Sequence, residues 1–278
     1  MKKFIFVIYF CCVATGTAQA CRFWVAVGKE VPAEFVFSQL LEMPHSLKFL
    51  GSEYADGWSI GIYKDGEEAV IRGSKASHID GNFDQAVKDL GAVQSSIVMG
   101  HLRRASSGCV EDVPNPHPFK RWANGKEWLF GHNGGMKKQI LIDLIGEEYL
   151  NQHQPTTCTY DAPDSWIDSE LFFIFLLKKI EESNGEVVQG LQEGLTELYE
   201  EIDDPHRYLN FFLTNGEEVW TFKKGNSLFY NYDAEKKVAT VTSTVPEEDQ
   251  SQWVEFPDDT IAALSPGNEI QFFSMYIP

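Results

Sequence analysis

The first twenty residues run from a basic start, Lys2 and Lys3, through an apolar stretch from Phe4 to Val13, to a small-residue end, Ala18-Gln19-Ala20. This is the order of a secretory signal with an A-x-A cleavage site. The apolar stretch falls short of the roughly twenty residues that a spanning helix needs, and no later segment is apolar enough to cross a bilayer. The expectation is a signal peptide over residues 1–20 that is removed, an exported protein in the periplasm or the medium, and no stable membrane insertion. Cleavage would make Cys21 the first residue of everything that folds.

Residues 21–278 suit one large domain better than two, since a single core commonly reaches that size. Losing Lys2 and Lys3 takes the net charge from -18 to -20. A surface that acidic repels phosphate backbones and anionic headgroups, which argues against a nucleic-acid partner. Cys11 and Cys12 leave with the signal, so Cys21, Cys109 and Cys158 remain. In an oxidising compartment a pair plus an odd thiol suggests a Cys109–Cys158 disulfide with Cys21 free; two unpaired cysteines are the other reading.

Short runs rich in β-branched and aromatic residues predict strands over Phe23 to Val27, Trp58 to Tyr63, Ser96 to Leu102 and Glu127 to Phe130. Phe35 to Leu41 reads as a helix ended near Pro44. Asp168 opens the clearest helix, with Asp168, Ser169 and Glu170 as capping and first-turn residues and Leu171, Phe172, Phe175, Leu176 and Ile180 as its apolar face. A second helix follows from Val187 to Ile202, with Leu191, Leu195 and Leu198 along one side. From Tyr208 the pattern turns to hairpins, with Asn215-Gly216 and then Gly225-Asn226 as turn signals. Strands, then helices, then strands, without repeated βαβ units, predict an α+β layered sandwich.

A cysteine directly after a cleavage site carries a thiol and a free α-amine on one residue, so the amine can serve as base for its own nucleophile. With a pKa of about 7.7 to 8.0 the amine accepts that proton near neutrality. Two other readings stand beside this one. Cys21 can simply begin a strand, or it can be a lipoprotein cysteine, although lipoprotein signals usually carry Leu where Ala18 stands. Lipidation would remove nucleophile and base together.

Downstream, an ordered set of motifs follows Cys21-Arg22-Phe23-Trp24: Asp56-Gly57-Trp58-Ser59-Ile60-Gly61, His101-Leu102-Arg103-Arg104-Ala105-Ser106, Asn115-Pro116-His117-Pro118-Phe119, Gly131-His132-Asn133-Gly134 and Asp168-Ser169-Glu170. The set resembles the class II glutamine amidotransferases, above all their stand-alone, single-domain branch. Ser243-Thr244-Val245-Pro246, Trp253 and Leu264-Ser265-Pro266-Gly267 look like that branch's closing segment. The resemblance implies the four-layer αββα sandwich of the N-terminal nucleophile hydrolases and cleavage of a γ-glutamyl amide through a Cys21 thioester. It implies no cofactor and no metal. By the same resemblance the Asn133 side chain and the Gly134 N–H form the oxyanion hole, Arg103 clamps the substrate α-carboxylate with Ser106 beside it, and Asp168 holds the α-ammonium.

Each of these residues also has a plainer reading: Asn133-Gly134 as a hairpin turn, Arg103 as a surface ion pair, Asp168 as a helix cap. His101, His117 and His132 lack metal spacing and read as satisfied core or turn histidines. The sequence departs from the family's synthases at Ser107, where a histidine is usual, at Arg104, where a tryptophan stands, and at Ser59, where a glycine does. These positions bear on the identity of the γ-glutamyl donor. Two rivals remain: another N-terminal cysteine amidase, of the bile-salt or penicillin type, and a non-catalytic, lipid-anchored binding protein.

Overall fold

The structure, a computed structural model, describes residues 20–105, 114–202 and 208–275. Its first half comprises β1 (Arg22–Gly28), α1 (Ala33–Phe37) continuing into a π-helical turn (Ser38–Glu42), α2 (Leu47–Leu50), β2 (Trp58–Lys64), β3 (Glu67–Gly73), α3 (Gly81–Gly91) and β4 (Ile97–Leu102). The middle holds β5 (Phe119–Ala123), β6 (Lys126–Gly134), α4 (Lys138–Ile145), α5 (Glu147–Gln152), α6 (Asp168–Glu182) and α7 (Val187–Glu201). The last part is all strand: β7 (Leu209–Thr214), β8 (Val219–Lys223), β9 (Phe229–Asp233), β10 (Val238–Thr242), β11 (Val254–Glu255), β12 (Thr260–Leu264) and β13 (Gln271–Ser274).

β1 shows how the layers arise. Phe23, Val25 and Val27 alternate with Trp24 and Ala26, and both sets are buried, so this strand needs cover on both faces. It receives it by lying fourth in a seven-stranded sheet ordered β11-β9-β10-β1-β4-β2-β3. Trp24 and Ala26 pack outward against Val36, Leu40, Leu47, Phe83 and Val87 of the first-half helices. Phe23, Val25 and Val27 face inward to Leu129, Phe212, Val219 and Ala262 of a second sheet, ordered β13-β12-β8-β7-β6-β5. That sheet's other face is covered by α4 to α7. Both sheets are antiparallel throughout, and the sequence of layers is αββα.

The four expected strands all form, and β6 runs four residues past Phe130 to Gly134, so Asn133-Gly134 is strand and not a hairpin turn. The expected helices at Phe35, Asp168 and Val187 form too, the first relaxing into its π-helical turn before Pro44. α6 is buried on every side from Ser169 to Leu177 because α4 and α7 flank it, so Phe173, Ile174 and Leu177 are core beside the expected face. Asp168 is the first residue of α6 and not its cap: Ile167 stands at the N-cap, with no side-chain cap bond.

Asn215-Gly216 turns β7 into β8 as expected. Gly225-Asn226 does not make a hairpin: β8 and β9 belong to different sheets, and this segment carries the chain across. Further hairpins form outside the expected turns, among them those at Asp65-Gly66 and Asn124-Gly125, where each residue of the pair has positive φ, as such tight turns require.

Candidate active site

One end of the sheet pair gathers the motif residues. Cys21 precedes β1 and is buried. The Arg104 backbone N–H donates to its Sγ at 3.3 Å, and the thiol faces the Arg104 carbonyl at 3.7 Å. Burial pushes the Cys21 thiol up, the Arg104 N–H and the Arg103 charge pull it down, and the Asp168 carboxylate raises it again; the net shift is upward. A thiol held above its ordinary value is neutral at pH 7 and needs a base to become a nucleophile. Arg22 steadies the backbone here. Its Nη1 donates to the Ala20 and Cys21 carbonyls at 2.7 and 3.0 Å while the guanidinium lies 4.5 Å over the Tyr54 ring.

Cys21 thus lies within the fields of both Arg103 and Asp168. Arg103 is 4% exposed, which rules out the surface ion pair. Its backbone is gripped by the turn before β2: Arg103 N–H donates to the Gly57 carbonyl, the Arg103 carbonyl accepts from Asp56, and Asp56 accepts from Ala105 N–H at 2.7 Å. Gly57 has φ +106°, and a Cβ there would lie 2.5 Å from the Gly73 carbonyl, so this turn admits no side chain. The Arg104 side chain turns away, donating to the Glu53 carbonyl. Asp168 reaches back across its own helix start, accepting from Met136 N–H at 2.8 Å and Ser169 N–H at 2.9 Å.

Asn133 is fully buried near the end of β6. Its Nδ2 lies 3.1 Å from Ser243 Oγ, its backbone carbonyl accepts from Asn226, and its Oδ1 has no partner. A Cβ on the neighbouring Gly134 would meet the Tyr208 carbonyl at 1.8 Å, so only glycine fits. Ser106, Ser107 and Cys109 lie outside the described residues. Cys158 is disulfide-bonded, and Cys21 is free.

The three histidines scattered in sequence come together. His101 and His117 stack with ring centroids 4.3 Å apart. Asn115 Nδ2 donates to His101 Nδ1 at 2.9 Å, so the other nitrogen, Nε2–H, donates to the His132 carbonyl at 3.3 Å and joins β4 to β6 just before Asn133. His132 Nδ1 lies 2.9 Å from Ser169 Oγ, tying β6 to the start of α6. Burial lowers all three, His101 to about 3 and His132 to about 4, so they are neutral braces. Among the described residues no group of three or more His, Cys, Asp or Glu is placed to hold a metal ion.

Sequence reasoning assigned no role to Ser243 or Asn226, both of which hold Asn133. In sequence Ser243 belongs only to the closing motif and Asn226 only to a glycine-asparagine turn signal; their contacts to Asn133 lie in packing across the sheets, which no local spacing encodes.

Comparison with known proteins decides the family. The model for glutamine amidotransferases class-II matches residues 31–234. The chain belongs to the class II glutamine amidotransferases. Within that family it is 29% identical over 181 residues to an uncharacterized protein of Methanocaldococcus jannaschii, covering 64% of this chain and 45% of that one. It is 29% identical over 165 residues to a Haemophilus influenzae protein provisionally named a glutamine amidotransferase, covering 59% and 50%. The matched region spans about half the length of these two relatives. An Escherichia coli protein with a similar provisional name is 26% identical over 223 residues, covering 78% and 80%.

Among solved structures, a glutamine aminotransferase class-II domain protein from Silicibacter pomeroyi superposes with a TM-score of 0.58 at 17% identity, over 93% of this chain and all of that one. The Bacillus subtilis glutamine phosphoribosylpyrophosphate amidotransferase does so with 0.62 at 14%, over 93% of this chain and 50% of that one. These likenesses show that the αββα sandwich is a fold shared with solved class II amidotransferase structures.

Proposed function

We propose that this class II amidotransferase cleaves the γ-amide of glutamine or a related small γ-glutamyl compound through a thioester on Cys21, after residues 1–20 are removed and the protein exported. One observation carries the reading: the Cys21 thiol, cradled by Arg104 N–H, lies in the fields of a buried cation, Arg103, and a carboxylate, Asp168. An amino acid presents an α-carboxylate and an α-ammonium, and this pair complements both. Burial of the thiol favours a base on the same residue, and cleavage after Ala20 would expose that base.

In the reaction the α-amine takes the thiol proton and sulfur attacks the γ-carbonyl carbon. The carbonyl electron pair moves to oxygen, facing Asn133 and Gly134. The C–N bond then breaks as the amine returns its proton to the leaving nitrogen, and water, deprotonated by the same amine, hydrolyses the thioester to release the γ-carboxylate. No membrane-crossing helix is present among the described residues.

The test is glutamate release by the chain beginning at Cys21, offered L-glutamine, glutathione and L-γ-glutamyl-p-nitroanilide. Turnover of at least one, abolished in Cys21→Ala, is the expected result. Full activity in Cys21→Ala, or activity only when residues 1–20 are retained, would overturn the reading.

A further inference from the structure

Ser243 follows β10 directly and touches two strands that belong to different sheets. Its Oγ lies 3.2 Å from Phe23 N–H, two residues beyond the Cys21 thiol, and 3.1 Å from the Asn133 carboxamide nitrogen. Its own N–H donates to the Phe23 carbonyl at 2.9 Å. Side chain and backbone together therefore lock it to β1, and the hydroxyl alone reaches β6.

The hydrogen-bond count around this hydroxyl is unbalanced. Two N–H groups point into one oxygen, and the hydroxyl proton finds no acceptor among the described residues. Meanwhile Asn133 Oδ1 is buried without a partner. A half-turn of the carboxamide about Cβ–Cγ exchanges oxygen and nitrogen, which have nearly the same size. Ser243 O–H then donates to Oδ1 and still accepts from Phe23 N–H. The buried, unpartnered group becomes an N–H donor instead of a carbonyl. A free carbonyl would repel a developing oxyanion, whereas a free N–H stabilises it.

We propose that Ser243 is a positioning residue for the reaction proposed above: its hydroxyl holds Asn133 Oδ1 and so fixes the carboxamide with Nδ2 free to receive the oxyanion. The inference rests on that functional reading. Because the same hydroxyl is bonded to the strand that follows Cys21, it also sets the distance between nucleophile and oxyanion donor. Asn226, donating to the Asn133 backbone carbonyl at 3.3 Å, holds the backbone while Ser243 orients the side chain.

The experiment compares wild type, Ser243→Ala, Ser243→Thr, Asn133→Ala and the Asn133→Ala/Ser243→Ala double variant. It reads kcat and KM on the γ-glutamyl compound that wild type turns over, affinity for glutamate γ-semialdehyde, affinity for L-glutamate, and Tm. The aldehyde forms a tetrahedral adduct with a thiol and needs the oxyanion donor; glutamate does not. Ser243→Ala should lower kcat and aldehyde affinity by about 10- to 100-fold, less than outright loss of an oxyanion donor, with KM and glutamate affinity little changed. Ser243→Thr should recover most of the loss. In the Asn133→Ala background, removing Ser243 should cost nothing further.

Unchanged kcat in Ser243→Ala, or an equal further loss in the Asn133→Ala background, overturns this inference while leaving the function intact. So does a parallel fall in Tm and in glutamate affinity that Ser243→Thr fails to reverse, which marks a purely structural residue. A wild type that neither turns over any γ-glutamyl compound nor binds the aldehyde overturns the functional reading and this inference with it.

Discussion

At the scale of single residues the site is a matter of which charges are kept near one thiol. Arg103 is buried, and burial lowers its pKa while Cys21 and Asp56 oppose that shift. A guanidinium stays protonated under such pressure where an ammonium of ordinary pKa would yield, and its flat fork meets a carboxylate at two points. Arg103→Lys should therefore raise KM about 10-fold or more with a smaller effect on kcat, and Arg103→Ala should raise it further, both read on the active γ-glutamyl substrate. Indifference to Arg103→Ala would shift the reading toward amidases that do not recognise an α-carboxylate. Motif order points to Cys21, Arg103, Asn133, Gly134 and Asp168 as candidates; the structure places the Cys21 thiol where the charges of Arg103 and Asp168 both act on it and ties Asn133 through Ser243 to the strand that follows Cys21. What the sequence hid was the support. Ser243 lies 220 positions from Phe23 along the chain, and nothing near it in sequence announces the contact.

At the scale of elements, helices were legible by period and strands by composition, while their neighbours were not. The face of α7 was drawn from its leucines, yet its glycines set how near it comes to α6. A Cβ on Gly190 would meet the Ile180 backbone at 2.6 Å, and one on Gly194 the Lys179 side chain at 2.7 Å. Gly190→Ala faces rigid backbone and should destabilise the fold by about 1–3 kcal/mol despite the higher helix propensity of alanine. Gly194→Ala meets a movable side chain and should cost less. Chemical denaturation of the two variants makes the comparison. The misread Gly225-Asn226 turn has the same origin: a glycine-asparagine pair signals reversal of direction, but whether the chain returns to its own sheet or crosses to the other depends on strands that pair elsewhere.

At the scale of the whole molecule the two sheets are pinned at the site end by polar bridges, His101 to the His132 carbonyl and Ser243 to Asn133. The histidines tie stability to pH. In the folded state burial holds His101 at about 3 and His132 at about 4, below their value of about 6.5 in an unfolded chain. Their contribution is fully present above about pH 6.5 and is lost as pH falls from there toward the folded values, because unfolding takes up protons throughout that window. Unfolding free energy measured at pH 7.5, 6.0 and 5.0 should fall at each step, with a slope of up to three protons when His117 joins the other two. A flat profile between pH 7.5 and 5.0 would contradict it.

The pairing of β1 has a further consequence, for the order in which a growing chain gains its chemistry. β1 needs β4 on one side and β10 on the other. A ribosome delivers the first well before the second, with all of the second sheet's strands but β12 and β13 made between them. Until residue 243 has emerged, β1 has an unpaired edge, open to misplaced strands, and the Ser243 bridge from the strand after Cys21 to Asn133 of the opposite sheet cannot form. A chain that stops before Ser243 should therefore be inert as well as misfolded, so the last contact to form at the site also reports that β10 has been made.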